Sequence, residues 1–316
     1  MPINVIVASD DGYAPFAAAT IRSTVQSASA EDQLAFHFLT FGLSRDVRSK
    51  LQQLETDLET RIHIVEIDPD EVSGFPINRY PLSTYLRLYA PEKLSGLDRA
   101  IYLDADVLVM TSLAPLLGFA SGYDAGAAAL DSMAFFSRIS GSSSFSTDED
   151  VHCRYFNSGV MVMNLDYWRQ KDILRQASTW LAGNPLARYS DQSALNVVLK
   201  DQIKILPLRY NLQTPLINLA MYGSGMTSSV LEACRDPGIV HFVTERKPWE
   251  RRYRIPYAGE FRAHLAKTPW GKDALPRLGP DGARHRMKEE ARHLGRTAKT
   301  LLRSATGLIP EPVVDL

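Results

Sequence analysis

The sequence has only two cysteines, Cys153 and Cys234, which are too few for a disulfide framework and lack the paired spacing of a zinc site. No apolar run approaches the ~18–20 residues that a transmembrane helix needs. The first residues, MPINVIVASDDGY, lack the basic and long apolar regions of a signal peptide. These absences favour a reducing, cytoplasmic setting.

The sequence also lacks a strong excess of charge of one sign. Its 316 residues carry a formal net charge of −1, so we expect no nucleic-acid partner on bulk charge. The charge is uneven, however, because residues 284–303 hold seven Arg or Lys against two Glu, which leaves −6 for the rest. The C-terminal segment is therefore suited to an anionic surface.

Short β-rich segments alternate with helical ones along the first two thirds of the chain. We predict strands at 3–8, 35–40, 61–67, 99–106, 125–130 and 156–165. We predict helices at 14–28, 44–58, 82–89, 166–182 and 190–200. This alternation indicates an α/β fold with a mostly parallel, doubly wound sheet that binds ligands at the carboxyl ends of its strands.

The character of the chain changes after residue 275. Breakers occur at Pro276, Gly279, Pro280 and Gly282, and a basic helix follows. Its apolar residues share one helical face: Met287, Ala291, Leu294, Ala298, Leu301 and Leu302. We predict a domain at 1–275 and a basic amphipathic tail at 276–316. The tail suits either an acidic membrane surface, contacted through residues 283–303, or docking on the body or a second subunit.

A Ser-rich segment with interspersed Phe covers residues 132–150. Long loops in compact domains are often functional, so a substrate lid and a plain surface loop are both compatible with it.

The segment IYLDADVLVM, residues 101–110, places Asp104 and Asp106 in an otherwise apolar run. Side chains two apart on a strand point to the same side. Two carboxylates about 5 Å apart repel by roughly 3 kcal/mol at an effective dielectric near 20. A divalent cation would compensate that repulsion.

Asp-x-Asp alone leaves three interpretations open. A phosphohydrolase would use the first Asp as a nucleophile, but its motif normally lies near the chain start and needs a later Gly-Asp, which this sequence lacks. A second use is metal-bridged binding of a nucleoside diphosphate, because Mn²⁺ and Mg²⁺ prefer oxygen ligands. The third is a solvated strand end without a ligand.

The segment HFVTERKPW, residues 241–249, supplies a further candidate ligand and a cation. The His241 imidazole suits Mn²⁺, and the Lys247 ammonium suits a phosphate. An isolated His is more often a structural hydrogen-bonding residue than a ligand, so this segment alone decides nothing.

Six ordered motifs together resemble glycosyltransferase family 8, which includes glycogenin and bacterial lipo-oligosaccharide α-galactosyltransferases. They are VIVASDDGY, STYLRLYAPEKL, YLDAD, FNSGVMVMNL, SDQSALN and HFVTERKPW, at 5–13, 83–94, 102–106, 156–165, 190–196 and 241–249. The resemblance covers roughly residues 3–270 and is nearest to the bacterial branch. It implies a GT-A fold, which is Rossmann-like, and a retaining, Mn²⁺-dependent transfer from a UDP-sugar, with Mg²⁺ as the alternative ion.

The resemblance also implies roles for individual residues. Metal ligands would be Asp104, Asp106 and His241. Donor-binding residues would be Ala8 and Asp10 at uracil, Thr84, Arg87 and Ala105 near phosphate and sugar, and Lys247 on the diphosphate. The sugar would be lined by Asp131, Asn157, Gly159, Asp191 and Gln192. Gln192 is expected nearest the anomeric carbon, with Asp191 stabilising the sugar cation or orienting its hydroxyls and Asn157 beside them. Double displacement through Asp191 or Gln192 is the alternative to same-face attack by the acceptor.

Several of these residues have simpler structural explanations. Asn157 to Gly159 would serve as a turn, Asp191 as the cap of helix 190–200, Arg87 as a surface residue and Asp10 as a turn former. Two positions depart from the family. Thr244 replaces a glycine that approaches the phosphate in many relatives, and Gly12 replaces a polar uracil contact.

The expected function is transfer of a hexose from UDP-galactose or UDP-glucose to a saccharide or glycolipid acceptor, in bacterial surface glycan or lipopolysaccharide synthesis. The alternatives are a non-catalytic protein that binds a UDP-sugar or glycan and, less favoured, an Asp-x-Asp phosphohydrolase.

Overall fold

The computed structural model describes residues 2–77, 81–119, 125–134, 154–222, 227–275 and 279–305. Its centre is a seven-stranded sheet of order β3-β2-β1-β4-β7-β6-β8. The strands are β1 Ile3–Ala8, β2 Leu34–Thr40, β3 Arg61–Glu66, β4 Arg99–Leu103, β6 Gly126–Leu130, β7 Phe156–Asn164 and β8 Ile203–Leu206. All neighbours are parallel except those of β7, which runs antiparallel to β4 and β6.

The strand order reverses beside β1. The chain passes from β1 to β2 and β3 on one side and then returns to place β4 on the other side of β1. In open α/β sheets, ligands bind in the crevice at the carboxyl ends of strands where the order reverses. Because β7 is antiparallel, its first residues, not its last, lie at that same edge.

Helices cover both faces of this sheet. They are α1 Ala14–Gln26, α2 Arg45–Asp57, α3 Ala90–Lys93, α4 Ala114–Phe119, α5 Leu165–Gln170, α6 Ile173–Gly183, α7 Ser190–Val198, α8 Thr214–Tyr222, α9 Ser228–Arg235, α10 Ala258–Leu265 and α11 Pro280–Ala305. Short 3-10 helices lie at Pro69–Val72, Leu82–Tyr89, Leu208–Asn211 and Gly271–Ala274. The apolar faces of α1 and α2 pack against one side of the sheet, and those of α5, α6 and α7 pack against the other.

A second, three-stranded sheet of order β5-β10-β9 extends from the first. Its strands are β5 Val107–Val109, β9 Leu212–Gln213 and β10 Ile239–His241. Strand β10 is antiparallel to β5 and parallel to β9. These strands are two or three residues long, too short for the sequence pattern to predict.

Three predicted elements have different bounds or geometry. The strand predicted at 99–106 ends at Leu103, and a turn carries the two acids before β5 begins. The helix predicted at 166–182 is divided into α5 and α6, because Asp172 adopts a left-handed backbone (φ 51°) between them. The segment at 82–89 is a 3-10 helix.

Helix α11 lies where the sequence predicts the basic helix, and its first half contacts the body. Glu289 is buried and pairs with Arg246 at 3.4 Å, and Arg286 donates to the Tyr253 carbonyl at 2.7 Å. Met287 and Leu294, on the predicted apolar face, are 70% and 68% exposed. None of the helices in the described ranges is both long and apolar enough to span a membrane.

Most of the Ser-rich segment at 132–150 falls outside the described residues, which stop at 134 and resume at 154. The same holds for residues 276–278 and 306–316 of the predicted tail. The lid hypothesis and the domain boundary at 275 remain predictions.

Candidate active site

The two acids lie in the turn that joins the two sheets. Strand β4 ends at Leu103, and Asp104, Ala105 and Asp106 lead directly into β5. Thr20 on α1 contacts the backbone of this turn. Its hydroxyl lies 3.1 Å from the carbonyl of Ala105 and 2.9 Å from that of Val107. Since Thr20 is fully buried, the turn is anchored to the core.

His241 reaches the acids through strand pairing, although it lies 135 residues after Asp106. In the antiparallel register of β10 and β5, His241 is opposite Val107. The Phe242 amide then donates to the Asp106 carbonyl at 3.1 Å. Strand pairing in the small sheet therefore places the His241 imidazole beside the turn that carries Asp104 and Asp106.

Three potential ligand atoms converge here, one each from Asp104, Asp106 and His241, all within 4.8 Å of one another. His241 Nε2 lies 3.6 Å from Asp104 Oδ2 and 3.2 Å from Asp106 Oδ1. Carboxylate oxygens with one imidazole suit Mn²⁺ or Mg²⁺ better than a soft metal. The donor set therefore fits a hard divalent cation.

The other oxygen of each carboxylate is already engaged. Asp104 Oδ1 accepts hydrogen bonds from Arg87 and from the Tyr102 hydroxyl, both at 2.9 Å. Asp106 Oδ2 accepts from Lys247 Nζ at 2.6 Å. These contacts leave Oδ2 of Asp104 and Oδ1 of Asp106 facing His241, so both carboxylates are oriented towards the convergence point.

Gly159 on β7 makes room for this arrangement. A Cβ atom added there would lie 2.1 Å from His241 Cε1 and 2.5 Å from Asp104 Oδ2. The backbone also contributes, because the Gly159 carbonyl accepts from the Asp104 amide at 2.8 Å. Any larger residue would displace two of the three candidate ligands.

Arg87 is buried and joins the acids to the neighbouring part of the site. It bonds Asp104 as described, donates to the Ser158 carbonyl at 2.7 Å and pairs with Asp191 at 2.9 Å. Burial alone would lower the pKa of Arg87, but Asp104 and Asp191 raise it further than burial lowers it. The simpler interpretation of Arg87 as a surface residue is wrong.

Asp191 is buried in the first turn of α7 and is not its cap, since Tyr189 occupies the cap position. Burial raises the pKa of Asp191 to about 6, against the opposing effect of Arg87. Among the described residues, Asp191 Oδ2 has the Arg87 ion pair but no aligned hydrogen bond. This oxygen retains the capacity to accept a hydrogen bond from a ligand.

Asp106 and Lys247 form a buried ion pair. Burial would raise the pKa of Asp106, but Lys247 and His241 outweigh it and hold that pKa below its usual range. The pKa of Lys247 is raised, since the attraction of Asp106 exceeds the effect of burial. Lys247 also donates to the Phe242 carbonyl at 2.9 Å, which fixes its position beside the acids.

Asp131, Asn157 and Gln192 form a second buried cluster. Asp131 Oδ2 accepts from Asn157 Nδ2 at 3.0 Å and from Gln192 Nε2 at 3.2 Å. Gln192 Oε1 accepts from the Ser158 amide at 3.0 Å. Because Asn157 to Gly159 lie within β7, interpreting that segment as a turn is wrong.

The remaining predicted donor-binding residues are Ala8, Asp10, Thr84 and Ala105. Ala8 ends β1, beside β4, and Ala105 lies between the two acids. Asp10 accepts from the Tyr13 amide at 3.0 Å, as a turn former would, and lies 3.4 Å from the Ser83 hydroxyl. The Thr84 carbonyl accepts from Arg87 Nε at 3.3 Å.

Trp249 anchors the segment that carries Lys247. Its ring stacks on Phe16 of α1 with centroids 3.6 Å apart and meets Tyr13 edge-on at 5.6 Å. At Thr244, where the family resemblance implies a glycine, the hydroxyl lies 3.2 Å from the Arg246 carbonyl. The loop is therefore fixed at both of these positions by its own side chains.

Several residues of the site carry no recognisable signal in the sequence. Tyr102 belongs to an apolar strand, and Asn211 and Gln213 lie in the segment RYNLQTP, where the sequence predicts no individual role for either side chain. Asn196 belongs to a recognised motif, but its contacts with the Phe156 backbone were not predicted. Buried amides such as these give no periodic signal in a sequence.

Comparisons with known proteins point to one family. The family model for Glycosyl transferase family 8 matches residues 4–252. A lipopolysaccharide 1,2-glucosyltransferase of Escherichia coli is 28% identical over 92% of this chain and 85% of that protein. A lipopolysaccharide 1,3-galactosyltransferase of Salmonella typhimurium is 26% identical over 86% of this chain and 80% of that protein.

A solved structure of the galactosyltransferase LgtC in complex with donor and acceptor sugar analogs is also similar. It is 25% identical, with a TM-score of 0.70, over 90% of this chain and 100% of that one. The GT-A fold and the resemblance drawn from the six motifs are thereby confirmed. Because the family model spans most of its length, the chain belongs to glycosyl transferase family 8.

Proposed function

We propose that this protein transfers a hexose, galactose or glucose, from a UDP-sugar to a saccharide or glycolipid acceptor with retention of configuration. The observation that carries this proposal is the convergence of Asp104, Asp106 and His241 at the carboxyl edge of the sheet, in a member of this family. The names of the similar lipopolysaccharide transferases support a role in bacterial surface glycan synthesis.

Asp104, Asp106 and His241 would hold the cation, Mn²⁺ or Mg²⁺. When bound, the ion would supply positive charge to the diphosphate leaving group. The fit rests on the hard donor set and on the space that Gly159 leaves beside it.

Lys247 would neutralise the diphosphate as the sugar–phosphate bond breaks. Its ammonium already lies against Asp106, so it needs only a local movement to reach a phosphate beside the acids. A preformed charge near a developing anion stabilises a transition state without reorganisation of solvent.

The acceptor hydroxyl would attack the anomeric carbon from the same face that the diphosphate leaves. The carbon–phosphate oxygen bond breaks, the new carbon–oxygen bond forms, and the hydroxyl proton passes to the leaving phosphate. Asp191 would stabilise the positive sugar, and Asn157 and Asp131 would orient it. Gln192 would lie nearest the anomeric carbon, but both ends of its amide are hydrogen-bonded, which argues against a role as nucleophile.

A screen of UDP-sugars for Mn²⁺-dependent UDP release tests the activity. We expect release with UDP-galactose or UDP-glucose, and a loss of at least about 100-fold in Asp104→Asn, because the ligand set and a fixed charge are removed together. Asp46→Asn, on the exposed surface of α2, is the matched control. Full activity of Asp104→Asn with a chelator present would refute the metal site.

The same assay separates the alternatives. A non-catalytic binding protein would bind a UDP-sugar without releasing UDP, and a phosphohydrolase would release phosphate from phosphomonoesters. NMR of the glycoside product tests the stereochemistry, and an inverted product would exclude the same-face mechanism.

We also propose that the protein is cytoplasmic and that α11 brings it to an acidic inner membrane surface. The basic composition of residues 283–303 and the exposure of Met287 and Leu294 support this proposal. An acceptor held at that surface would then lie near the site.

A further inference from the structure

His241 can serve as a metal ligand only if one particular nitrogen is free. A neutral imidazole carries its hydrogen on Nδ1 or on Nε2, and the hydrogen bond at one nitrogen decides the state of the other. Nε2 faces Asp104 and Asp106, while Nδ1 lies 3.0 Å from Asn211 Oδ1. The orientation of the Asn211 amide therefore decides whether Nε2 is available.

A chain of hydrogen bonds sets that orientation from groups whose direction is unambiguous. The Gly159 backbone amide can only donate, and it donates to Asn157 Oδ1 at 3.0 Å. The Asp131 carboxylate accepts from Asn157 Nδ2 at 3.0 Å. With both contacts in place, the Asn157 side chain cannot be flipped without opposing donor to donor and acceptor to acceptor.

Asn211 inherits its orientation from Asn157. Asn157 Oδ1 is an acceptor, so the Asn211 atom that contacts it at 2.9 Å must be the donor Nδ2. The carbonyl oxygen of Asn211 then faces His241, and Nδ1 must carry the hydrogen. Asn211, Asn157 and His241 are 0%, 6% and 3% exposed, so bulk water cannot readily replace a missing partner.

We propose that Asn211 is a positioning residue that holds His241 in the Nδ1–H tautomer and so keeps Nε2 free for the cation. The inference rests on the proposed function, since it concerns the same metal site, but it assigns a role to a residue outside the ligand set. The Gly159 backbone amide and Asp131 set the orientation of the Asn157 amide, which in turn sets that of Asn211.

Two variants separate this role from simple packing. Asn211→Leu removes the acceptor for Nδ1. Asn211→Asp keeps an acceptor there but loses the donor to Asn157, so it should lower stability while preserving the tautomer. A carboxylate hydrogen-bonded to a ligating imidazole also raises the basicity of the ligand.

The chain offers a matched control at a second His–Asn pair. His37 and Asn4 lie 3.0 Å apart through Nε2 and Oδ1, on β2 and β1. Asn4→Leu therefore removes a hydrogen bond of the same kind outside the site. We expect it to change neither the His241 signals nor metal affinity.

Long-range ¹H–¹⁵N NMR reports directly which ring nitrogen of His241 carries hydrogen, with and without diamagnetic Mg²⁺. The His241 signals are assigned from a His241→Gln variant. We expect Nδ1 to carry a hydrogen in the wild type and in Asn211→Asp, whereas in Asn211→Leu the hydrogen should shift to Nε2, which lies 3.2 Å from Asp106 Oδ1. Thermal melting of each variant reports stability separately.

Mn²⁺ titration followed by electron paramagnetic resonance gives the second readout, independent of turnover. Asn211→Leu should weaken Mn²⁺ binding by about 10–100-fold, whereas Asn211→Asp should bind at least as tightly as the wild type. Equal loss of affinity in both variants, or an unchanged tautomer and affinity in Asn211→Leu, would overturn the proposal. Should Asn211→Leu fail to fold, loss of the Nδ1–H state or of affinity in Asn211→Asp overturns it.

Failure of the proposed function has a different signature. If the wild type binds Mn²⁺ and shows the Nδ1–H tautomer but releases no UDP from any UDP-sugar, the transferase proposal fails and the role of Asn211 stands. If UDP is released while the tautomer is mixed in the wild type, the role of Asn211 fails and the transferase proposal stands.

Discussion

Gly159 carries only a hydrogen as its side chain, and this leaves the space that His241 and Asp104 occupy. We predict that Gly159→Ala weakens Mn²⁺ binding and UDP release strongly, because the new methyl would overlap His241 and Asp104. Overpacking at a buried position also destabilises a fold by about 1–3 kcal/mol. Mn²⁺ titration and urea unfolding of the same variant separate the two effects.

Gly118→Ala is the control for this substitution. Gly118 lies on the exposed side of α4, and a Cβ added there would meet no atom within 4 Å. We expect unchanged metal binding and equal or slightly higher stability. Wild-type Mn²⁺ affinity in Gly159→Ala would contradict the arrangement of ligands described above.

His37 allows a prediction of pH dependence at a residue outside the site. Burial, together with the nearby His63, lowers the pKa of His37 to about 4. The folded state therefore favours the neutral ring, and its contribution to stability is present above the unfolded pKa of about 6.5 and is lost as the pH falls towards 4. The free energy of unfolding that is lost in this way is at most about 3 kcal/mol.

The measurement is the free energy of unfolding by urea between pH 7 and pH 4.5, for the wild type and His37→Gln. The glutamine can still donate to Asn4 but cannot titrate. The wild type should lose more stability than the variant over this interval. Parallel pH profiles would show that His37 does not titrate as described.

At the scale of elements, the segment from β10 to Trp249 connects the site to α1. Trp249 packs on Phe16 and Tyr13 and also contacts Phe261 of α10, so one side chain joins three parts of the fold. The loop has little regular structure of its own. Its position therefore depends on this aromatic contact and on the hydrogen bonds of Lys247.

We predict that Trp249→Ala costs about 3–5 kcal/mol in stability and also weakens UDP binding, since Lys247 loses its support. Isothermal titration with UDP and Mn²⁺ measures the second effect. Trp180→Ala, on α6, is the control, because it removes a partly buried Trp from the other side of the sheet. It should lower stability while UDP affinity stays at the wild-type value; equal UDP affinity in both variants would contradict the supporting role of Trp249.

The direction of strand β7 decides which of its residues lie at the site. The sequence predicts a buried strand at 156–165, but only its antiparallel direction brings Asn157 and Gly159 to the carboxyl edge. A parallel strand would place those residues at the opposite end of the sheet. The pattern of apolar residues is the same in both cases, so it cannot distinguish them.

At the scale of the whole molecule, α11 combines contacts to the body with exposed apolar side chains. Truncating the tail would remove both, because Glu289 and Arg286 bond residues of the body. Single exposed positions give a cleaner test of membrane binding. Met287 and Leu294 are suitable, since both are largely exposed.

We predict that Met287→Glu combined with Leu294→Glu reduces flotation with anionic liposomes, because an apolar face gains charge that acidic lipids repel. The basal release of UDP from a soluble donor should not change. Leu186→Glu, at a residue 93% exposed outside α11, is the matched control and should float like the wild type. Undiminished flotation of the double variant would remove the support for a membrane role.

The order of the main elements and the motifs of the family can be recognised in the sequence alone. Strands β1, β2, β3 and β6 and helices α1 and α2 lie within a few residues of their predicted bounds, because local apolar periodicity and turn residues define them. The acids of YLDAD could be recognised as unusual from charge alone, since carboxylates in an apolar strand need a compensating partner.

The contact between these acids and His241 depends on the folded chain, through the register of the two-residue and three-residue strands of the small sheet. The folded chain also decides the roles of Tyr102 and Asn211, whose contacts join residues distant in sequence. The physical reason is that hydrogen-bond direction and strand register are properties of pairs, whereas composition and periodicity describe one segment at a time.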